Sequence, residues 1–342
     1  MAAIAGVSVG TVDRVLHDRG EVAEKTRKKV LRAIKELDYT PNIIARSLAL
    51  KKLFRIGVLL PEIHSDNDYW NGPLQGVEQA ARELTTYKIR IDSFYFHHPD
   101  PSSFEEKATE MIQSAPDGVM FPPLYEQVSL KLIDQCAATG IPFVLFDSNL
   151  DTDKKLSFIG QNSFQSGKLA GKLMHQLVGW KEGAILVLMI GEESSMSNQV
   201  KRRMNGFFDF FLNESAWDKS RLFARVAQKD TRSIRDLVHE YTQSNRISGV
   251  FIPNSRAYLL CEAVGGESLA DICIIGYDLL EKNIEWLEKG TIDFLIAQNP
   301  RLQGYKAVME LFDHLVLKKE VRQESFVPID IIMKENYQYY LL

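Results

Sequence analysis

The stretch AGVSVGTVDRVL, residues 5–16, predicts two short helices joined by a tight turn. Ser8 is a good N-cap, because its hydroxyl can accept a hydrogen bond from an unpaired N–H of the first helical turn. The apolar residues behind it recur at a helical spacing that we assign to one face: Val9, Val12, Val15 and Leu16. Residues 1–5 form a short turn that closes on Gly6. This is the helix-turn-helix arrangement, whose second helix enters the major groove of DNA.

A third helix is predicted over AEKTRKKVLRAIKELD, residues 23–38. Its apolar stripe, at the spacing i, i+3, i+4 and i+7, consists of Val30, Ala33, Ile34 and Leu37. Its other side carries six basic residues, which either form a solvated face or meet a polyanion. The following segment, YTPNIIARSLALKK, begins a short helix with Asn42 as the N-cap. That helix is too apolar and too short to stand alone, so we expect it to fold against a partner.

Charge separates the beginning of the chain from the remainder. Residues 1–55 carry 12 Lys and Arg against 6 Asp and Glu, whereas the other residues carry 29 basic and 39 acidic side chains. A basic unit on an acidic body favours a polyanionic partner for the basic unit alone.

The composition is that of an ordinary globular protein, with 45% apolar and 25% charged residues. No run of 18 or more apolar residues predicts a membrane span. Three separate cysteines form no CxxC pair, and the N-terminus does not resemble an export signal. We therefore expect a cytoplasmic protein without membrane association.

From Phe54 onward, strand-like apolar runs alternate with amphipathic helices about ten times. This rhythm predicts an α/β fold with two doubly wound parallel-sheet subdomains behind a small all-α helix-turn-helix head. Ligands of such sheets bind at the carboxyl ends of the strands. The strand ends here are FPP, FD, IGE, PN, YD and AQN, with no catalytic, phosphate-loop or metal-ligand spacing among them. His97 and His98 are adjacent, so their side chains point apart on a strand, and we expect no metal there. Because the strand ends carry no such spacing either, we also expect no cofactor and no catalytic residue.

The residues quoted above give the head a resemblance to the lactose-repressor (LacI/GalR) family of transcriptional regulators, carried by AGVSVGTVDRVL, KTRKKVLRAIKELDYTPN and ARSLA. The resemblance implies a DNA-binding head in which Val9, Gly10 and Arg14 face base edges and Thr11 and Thr26 contact phosphates. It implies a hinge-helix wedge into the minor groove at Leu48, with Ala45 beside it. The complete predicted DNA-binding set is Ser8, Val9, Gly10, Thr11, Arg14, Thr26, Asn42, Ala45 and Leu48.

The body resembles the periplasmic sugar-binding protein (type I) fold that serves as the effector domain of that family. The resemblance implies that two aromatic side chains of NDYWNGPLQGVEQAA stack on a sugar ring. It implies polar contacts at FVLFDSN, QVKRRMNGF, GVFIPN, IIGYD and LIAQNP, and a weaker match at IGQNSFQSGKLAG. The implied effector-binding residues are Tyr69, Trp70, Asp147, Asn162, Arg203, Asn254, Asp278 and Gln298.

Several positions depart from the family pattern. Asp13 and Ala23 replace residues that usually carry a hydroxyl, and the first helix is short. Pro122 and Ser148 stand where sugar binders have a polar residue and an arginine. A sugar-sensing protein with a truncated, DNA-silent head is therefore the alternative function. A transport binding protein would carry an export signal and no head, and an enzyme would carry a nucleophile–base pair.

The predicted domains are a head over residues 1–40, a hinge helix and linker over 41–54, and an effector-binding domain over 55–342. Within the last, we expect one subdomain from 55–161 with 299–322 and another from 162–298 with 323–342, so that the chain crosses near Gln161, Gln298 and Arg322. The expected assembly is a homodimer on pseudo-palindromic operator DNA, because a two-fold protein binds two half-sites. The expected effector is a small molecule, most simply a sugar.

Overall fold

A computed structural model of the chain divides it into two units, residues 1–51 and 52–342. The structure describes residues 1–16, 20–37, 52–64, 68–192, 196–214, 217–244 and 246–341. The predicted hinge segment, with Asn42, Ala45 and Leu48, lies outside these residues.

The small unit contains the helices α1 (Ala2–Ala5), α2 (Val9–Leu16) and α3 (Glu24–Glu36). Gly6 ends α1 in the left-handed region, with φ of 62°, where a side chain would cost energy. The Ser8 hydroxyl accepts a hydrogen bond from the Thr11 N–H at 3.1 Å, as expected of an N-cap. The buried core of this unit consists of Ala5, Val12, Val15, Val30 and Ala33.

Val9 does not share that core, contrary to the apolar face assigned from the sequence. Its side chain is 76% exposed, whereas Val12 and Val15 on the same helix are buried. Val9 lies in the first turn of α2, at the edge of the apolar stripe that Val12 and Val15 define. The helix therefore presents Val9 outward with its polar residues.

Within its described residues, the large unit contains two six-stranded sheets. In the first, the strand order is β11-β5-β4-β3-β1-β2, and all pairs are parallel. In the second, the order is β12-β10-β9-β8-β6-β7, parallel except that β12 runs antiparallel to β10. The strands are β1 (Phe54–Pro61), β2 (Ile89–Phe96), β3 (Gly118–Phe121), β4 (Phe143–Phe146), β5 (Ser157–Gly160), β6 (Ala184–Ile190), β7 (Leu222–Ala227), β8 (Ile247–Phe251), β9 (Cys273–Tyr277), β10 (Phe294–Ala297), β11 (Glu324–Phe326) and β12 (Asp330–Ile332).

Helices cover both faces of each sheet, which explains why the inner strands are continuously apolar. Strand β6 shows this directly, since Leu186 and Leu188 enter one core while Ile185 and Val187 enter the other. The helices of the large unit are α4 (Asn71–Glu83), α5 (Pro101–Gln113), α6 (Glu126–Thr139), α7 (Ser163–Val178), α8 (Asn198–Asp209), α9 (Thr231–Ser244), α10 (Ala257–Val264), α11 (Glu281–Glu288) and α12 (Pro300–Phe312). Short 3-10 turns include Asp68–Trp70 and Tyr337–Tyr340, and π-helical turns extend α8 and α12. This architecture confirms the predicted α/β fold behind a helical head.

The chain passes between the two sheets three times. The first two crossings follow β5 and β10, at Gln161 and Gln298. The third follows β11 and lies between Phe326 and Asp330, later than the crossing expected near Arg322. The expectation was wrong there because residues 324–326 form a three-residue edge strand that pairs with β5. This pairing joins residues far apart in the chain, so no local sequence pattern predicts it.

Helices α7 and α8 cross on the second sheet in close backbone contact. A Cβ atom on Gly167 would lie 1.9 Å from the carbonyl oxygen of Arg203, and one on Gly206 would lie 2.0 Å from that of Phe164. Only glycine fits at such distances, so these two residues set how deeply α8 sits and bring Arg203 to the edge of the sheet. Among the described residues, no helix combines the length and the apolarity that crossing a bilayer requires.

Candidate functional site

Polar side chains from both sheets meet at the carboxyl ends of the strands. Asp147 follows β4 of the first sheet, while Asp278 and Gln298 follow β9 and β10 of the second. All three are buried, and both aspartates have a left-handed backbone, with φ of 64° and 68°. Backbone strain of this kind is concentrated at functional sites. These residues define the cleft between the two subdomains.

Arg203 is the central cation of the cleft and is only 1% exposed. Its guanidinium donates hydrogen bonds to the Pro253 carbonyl, at 3.0 Å, and to Gln298 Oε1. The guanidinium carbon also lies 3.9 Å from the centre of the Tyr277 ring. The charge lowers the pKa values of Asp147 and Asp278, although burial outweighs it and raises both overall. Arg203 therefore acts on the two acids through its charge, while its hydrogen bonds are made to Pro253 and Gln298.

Asp278 is tied to its neighbours through one oxygen. Its Oδ2 accepts hydrogen bonds from Ser255 Oγ at 2.6 Å and from Gln298 Nε2 at 2.7 Å. Its Oδ1 and the Nε of Arg203 are buried and have no hydrogen-bond partner within the described part of the chain. Asp278 Oδ1 is a hydrogen-bond acceptor and the Arg203 Nε–H is a donor. A ligand hydroxyl group can donate to the first and accept from the second.

The two predicted aromatic residues lie on the short 3-10 turn before α4. The Tyr69 hydroxyl donates a hydrogen bond to Asp147 Oδ1. Trp70 is 5% exposed and meets Tyr69 and Phe146 edge to face, with ring centres 5.2 and 6.3 Å apart. These contacts hold the indole in a fixed orientation at the wall of the cleft.

Asp147 has a pKa of about 6, well above its ordinary value of 3.8. Burial is the main cause, and the nearby charge of Asp278 adds to it, while the Tyr69 hydrogen bond and Arg203 oppose it. Its main-chain N–H donates to Gln303 Oε1 at 3.0 Å, and its carbonyl accepts from Gln199 Nε2 at 3.0 Å. The carboxyl group is thus fixed in position and titrates near neutrality.

A cavity of about 150 Å³ lies among these residues. Six of the eight predicted effector-binding residues line it: Tyr69, Trp70, Asp147, Arg203, Asn254 and Gln298. Asp278 contacts the same cluster through Ser255 and Gln298. A larger cavity of about 840 Å³ runs along α4 and α12 and shares Tyr69, Leu280 and Gln298 with the first. The smaller one is the candidate site, because six of the eight predicted effector-binding residues line it, whereas three of them line the larger one.

The two predicted asparagines have different surroundings. Asn254 lines the cavity and donates a hydrogen bond from Nδ2 to the Ile190 carbonyl at 2.8 Å. Asn162 is the N-cap of α7, where its Oδ1 accepts from the Gln165 N–H at 3.1 Å, and it is not among the cavity-lining residues. Its position is that of a structural cap.

The polar cavity residues that sequence reasoning missed include His98, Gln199 and Arg256. Gln199 lies one helical turn before Arg203, and this i, i+4 spacing was a signal that could have found it. The His98 ring is 2.6 Å from the Tyr125 hydroxyl, and burial, together with the charges of Arg256 and Lys229, lowers its pKa to about 4. His98 is therefore neutral at physiological pH, and no local pattern pointed to it.

In the small unit, α2 exposes the residues expected to meet DNA. Ser8, Val9, Gly10 and Arg14 are exposed, and Thr11 is partly exposed. On α3, Thr26 is partly exposed, and the exposed basic residues are Lys25, Lys28, Lys29, Arg32 and Lys35. The outward side of this unit therefore carries basic and other polar residues together with exposed apolar side chains, those of Ile4, Val9, Leu31 and Leu37.

Comparisons with known proteins give a family match for each of the two units. Residues 1–42 match the model of "Bacterial regulatory proteins, lacI family", and residues 56–320 match the "Periplasmic binding protein domain". A crystal structure from Bacteroides fragilis, assigned as a LacI transcriptional regulator, is 31% identical with a TM-score of 0.76, covering 84% of this chain and all of that one. The chain belongs to the LacI family.

Two curated relatives add to this assignment. The HTH-type transcriptional regulator RegA of Clostridium saccharobutylicum is 51% identical over 77 residues, which cover 22% of this LacI-family chain and 23% of RegA. The sucrose operon repressor of Streptococcus mutans is 25% identical over 284 residues, covering 81% of each chain. The first three curated relatives are matched over only 23% to 43% of their own length.

Proposed function

We propose that this LacI-family protein is a cytoplasmic, sequence-specific DNA-binding regulator of transcription whose operator affinity is controlled by a small neutral sugar. The observation that carries the proposal is the hydrogen-bonded cluster of Asp147, Gln199, Arg203, Asp278 and Gln298. It joins residues of both subdomains, so a ligand that binds there contacts both of them. Such a ligand can favour one relative orientation of the subdomains over another.

The charges around the cavity favour a neutral ligand. The carboxylates of Asp147 and Asp278 are balanced by Arg203 and by Arg256, which also lines the cavity, and His98 is uncharged near neutral pH. An acidic sugar or a phosphate would add an uncompensated buried charge, which is costly. The volume of about 150 Å³ is below that of typical drug-sized pockets and supports a single sugar ring.

The same groups support binding rather than catalysis. The Ser255 hydroxyl donates to the Asp278 carboxylate, and the His98 ring pairs with the Tyr125 hydroxyl. Neither arrangement is a nucleophile oriented by a general base. We therefore propose that the cavity recognises its ligand without changing it.

We also propose that the protein acts as a homodimer on a pseudo-palindromic operator. The exposed side of α2, with Val9, Gly10 and Arg14, reads base edges, while Thr11 and Thr26 contact phosphates. The predicted contacts of Asn42, Ala45 and Leu48 would extend this interface, and these residues lie outside the described part of the chain. Closed two-fold symmetry matches two half-sites.

Selection from a random DNA library, followed by fluorescence anisotropy on the selected duplex, tests the DNA-binding part. We expect a two-fold repeated site, tighter binding than to a shuffled duplex, and affinity that falls steeply with salt. Absence of binding to either duplex would support the DNA-silent alternative, and equal affinity for both would contradict sequence-specific binding. A thermal-shift panel of neutral monosaccharides, sugar acids and disaccharides tests the effector part, and stabilisation by sugar acids alone would contradict a neutral ligand.

A further inference from the structure

A second polar cluster lies at the ends of β1 and β2, beside the cleft and outside the site described above. Glu62 follows β1 and His97 follows β2, and these neighbouring parallel strands run in register up to Pro61 and Phe96. The Glu62 N–H continues the ladder with a hydrogen bond to the Phe96 carbonyl at 2.8 Å. The His97 N–H donates to Ser103 Oγ at 2.9 Å. The backbones that carry two of the cluster's side chains are therefore fixed.

His64 supplies the third side chain of the cluster. Its Nε2 lies 3.2 Å from Glu62 Oε2, and His97 Nδ1 lies 3.3 Å from the same oxygen. One ligand atom from each residue falls within 4.8 Å of the other two. Nitrogen and oxygen ligands sit about 2.0–2.2 Å from zinc, so two ligands of a tetrahedral ion are roughly 3.3–3.5 Å apart. Two of the three separations already approach that value, and a small rotation of an exposed histidine ring would shorten the third.

We propose that Glu62, His64 and His97 bind a zinc-class divalent metal ion at the rim of the cleft. The ligands are one carboxylate oxygen, His64 Nε2 and His97 Nδ1, and a fourth tetrahedral position is left for water. Two imidazoles and one carboxylate suit zinc or cobalt, whereas magnesium and calcium prefer all-oxygen sites. Each ring must present a lone pair to the metal, so in the metal-bound state the proton of each neutral imidazole is on the other ring nitrogen, His64 Nδ1 and His97 Nε2.

The surroundings allow this site to be reached and to be selective. The side chains of Glu62, His64 and His97 are 41%, 50% and 60% exposed, so an ion can enter without unfolding. The chain's three cysteines are buried, and burial raises the pKa of their thiols, to about 12 for Cys136 and Cys261. Protonated buried thiols are poor competitors for the metal.

The cluster is also connected to the wall of the effector cavity through the backbone. His98 directly follows His97 in the chain, lines that cavity and contacts the Tyr125 hydroxyl. A metal ion on His97 therefore restrains the backbone segment that positions His98. This gives the ion a physical connection to the cleft, although metal binding itself does not depend on the proposed sugar or DNA.

Isothermal titration of the tag-free full-length protein with ZnCl₂ tests the proposal, with MgCl₂ as the comparison metal. We expect one Zn²⁺ per chain and no comparable heat with Mg²⁺. The variants Glu62→Gln, His64→Ala and His97→Ala should each weaken Zn²⁺ binding about tenfold or more, which corresponds to about 1.4 kcal/mol. His239→Ala removes an exposed histidine on α9 and is the matched control, with unchanged affinity.

Co²⁺ supplies a second readout, because its visible absorption reports low coordination by nitrogen and oxygen ligands. The bands should appear with the wild-type protein and with His239→Ala, and should be lost in the three cluster variants. Equal Zn²⁺ affinity in all variants, binding of Mg²⁺ as tight as that of Zn²⁺, or absence of binding to the folded wild type would each overturn the proposal. Circular dichroism melts confirm that each variant is folded, and none of these outcomes bears on the regulator function.

Discussion

The substitution Asp147→Asn should stabilise the protein at neutral and alkaline pH. The Asp147 side chain is 4% exposed and its carboxyl pKa is raised to about 6. Asparagine has nearly the same shape, tolerates the φ of 64° at this position, and can still accept the hydrogen bond from the Tyr69 hydroxyl. The change therefore removes the ionisation while it keeps the geometry.

The size and sign of the effect follow from the linkage between protonation and folding. The folded pKa is above the ordinary value of 3.8, so in the unfolded chain the carboxyl group ionises first. Between about pH 4 and pH 6 the folded state holds the extra proton, and the wild type loses stability as pH rises. At about 1.4 kcal/mol per pH unit, the loss above pH 6 reaches about 3 kcal/mol. The asparagine variant lacks this loss.

Urea unfolding followed by tryptophan fluorescence, at half-unit steps from pH 5 to pH 8, measures the difference in the free energy of unfolding. We expect the free energy of unfolding of Asp147→Asn, relative to that of the wild type, to grow by about 1.4 kcal/mol across this range, most of it below about pH 6.5. Asp134→Asn, at an exposed carboxylate paired with Lys154, is the control and should show no such growth. A difference that stays constant from pH 5 to pH 8, or one that favours the wild type at pH 8, would refute the reasoning.

The Asp147→Asn variant should also bind sugar less tightly than the wild type, because a carboxylate is a stronger hydrogen-bond acceptor than an amide.

Three further predictions address the head, the cavity and the helix packing. Arg14→Ala should cost about 1–3 kcal/mol of discrimination at one base pair per half-site in anisotropy titrations, and an equal loss on shuffled DNA would contradict base reading. Trp70→Ala should abolish the sugar-dependent thermal shift and leave operator affinity unchanged in the absence of sugar, so an unaltered shift would remove Trp70 from the site. Gly167→Val should lower the free energy of unfolding by about 1–3 kcal/mol or more in urea titrations, because its Cβ would collide with the Arg203 carbonyl. Wild-type stability in that variant would show that α7 and α8 can separate at no cost.

The local patterns of the sequence were enough to predict both units of the fold. The helical spacing of Val12, Val15, Val30 and Ala33 predicted the small core, since each helix must bury one apolar face. The alternation of apolar strands with amphipathic helices predicted two parallel sheets, because strands covered on both faces cannot alternate with polar residues. Val9 was assigned to the wrong face, since spacing alone does not show where the core ends.

The candidate site was predicted in part, through residues that directly follow apolar strands. Asp147, Asp278 and Gln298 follow β4, β9 and β10, and parallel strands bring their carboxyl ends to one edge of a sheet. Arg203, from a helix, was found through the resemblance of its segment to a known family. Asn162 was included on a weak match, and its side chain caps α7.

The sequence by itself therefore determined which segments form helices and strands and which polar residues stand at strand ends, because these depend on neighbours along the chain. Only the tertiary structure decided which distant groups touch. It paired residues 324–326 with β5, placed His98 and Gln199 in the cavity, and brought Glu62 to His97 across two adjacent strands. It also set the pKa of Asp147, because burial and the charges of Asp278 and Arg203 come from segments far apart in the chain.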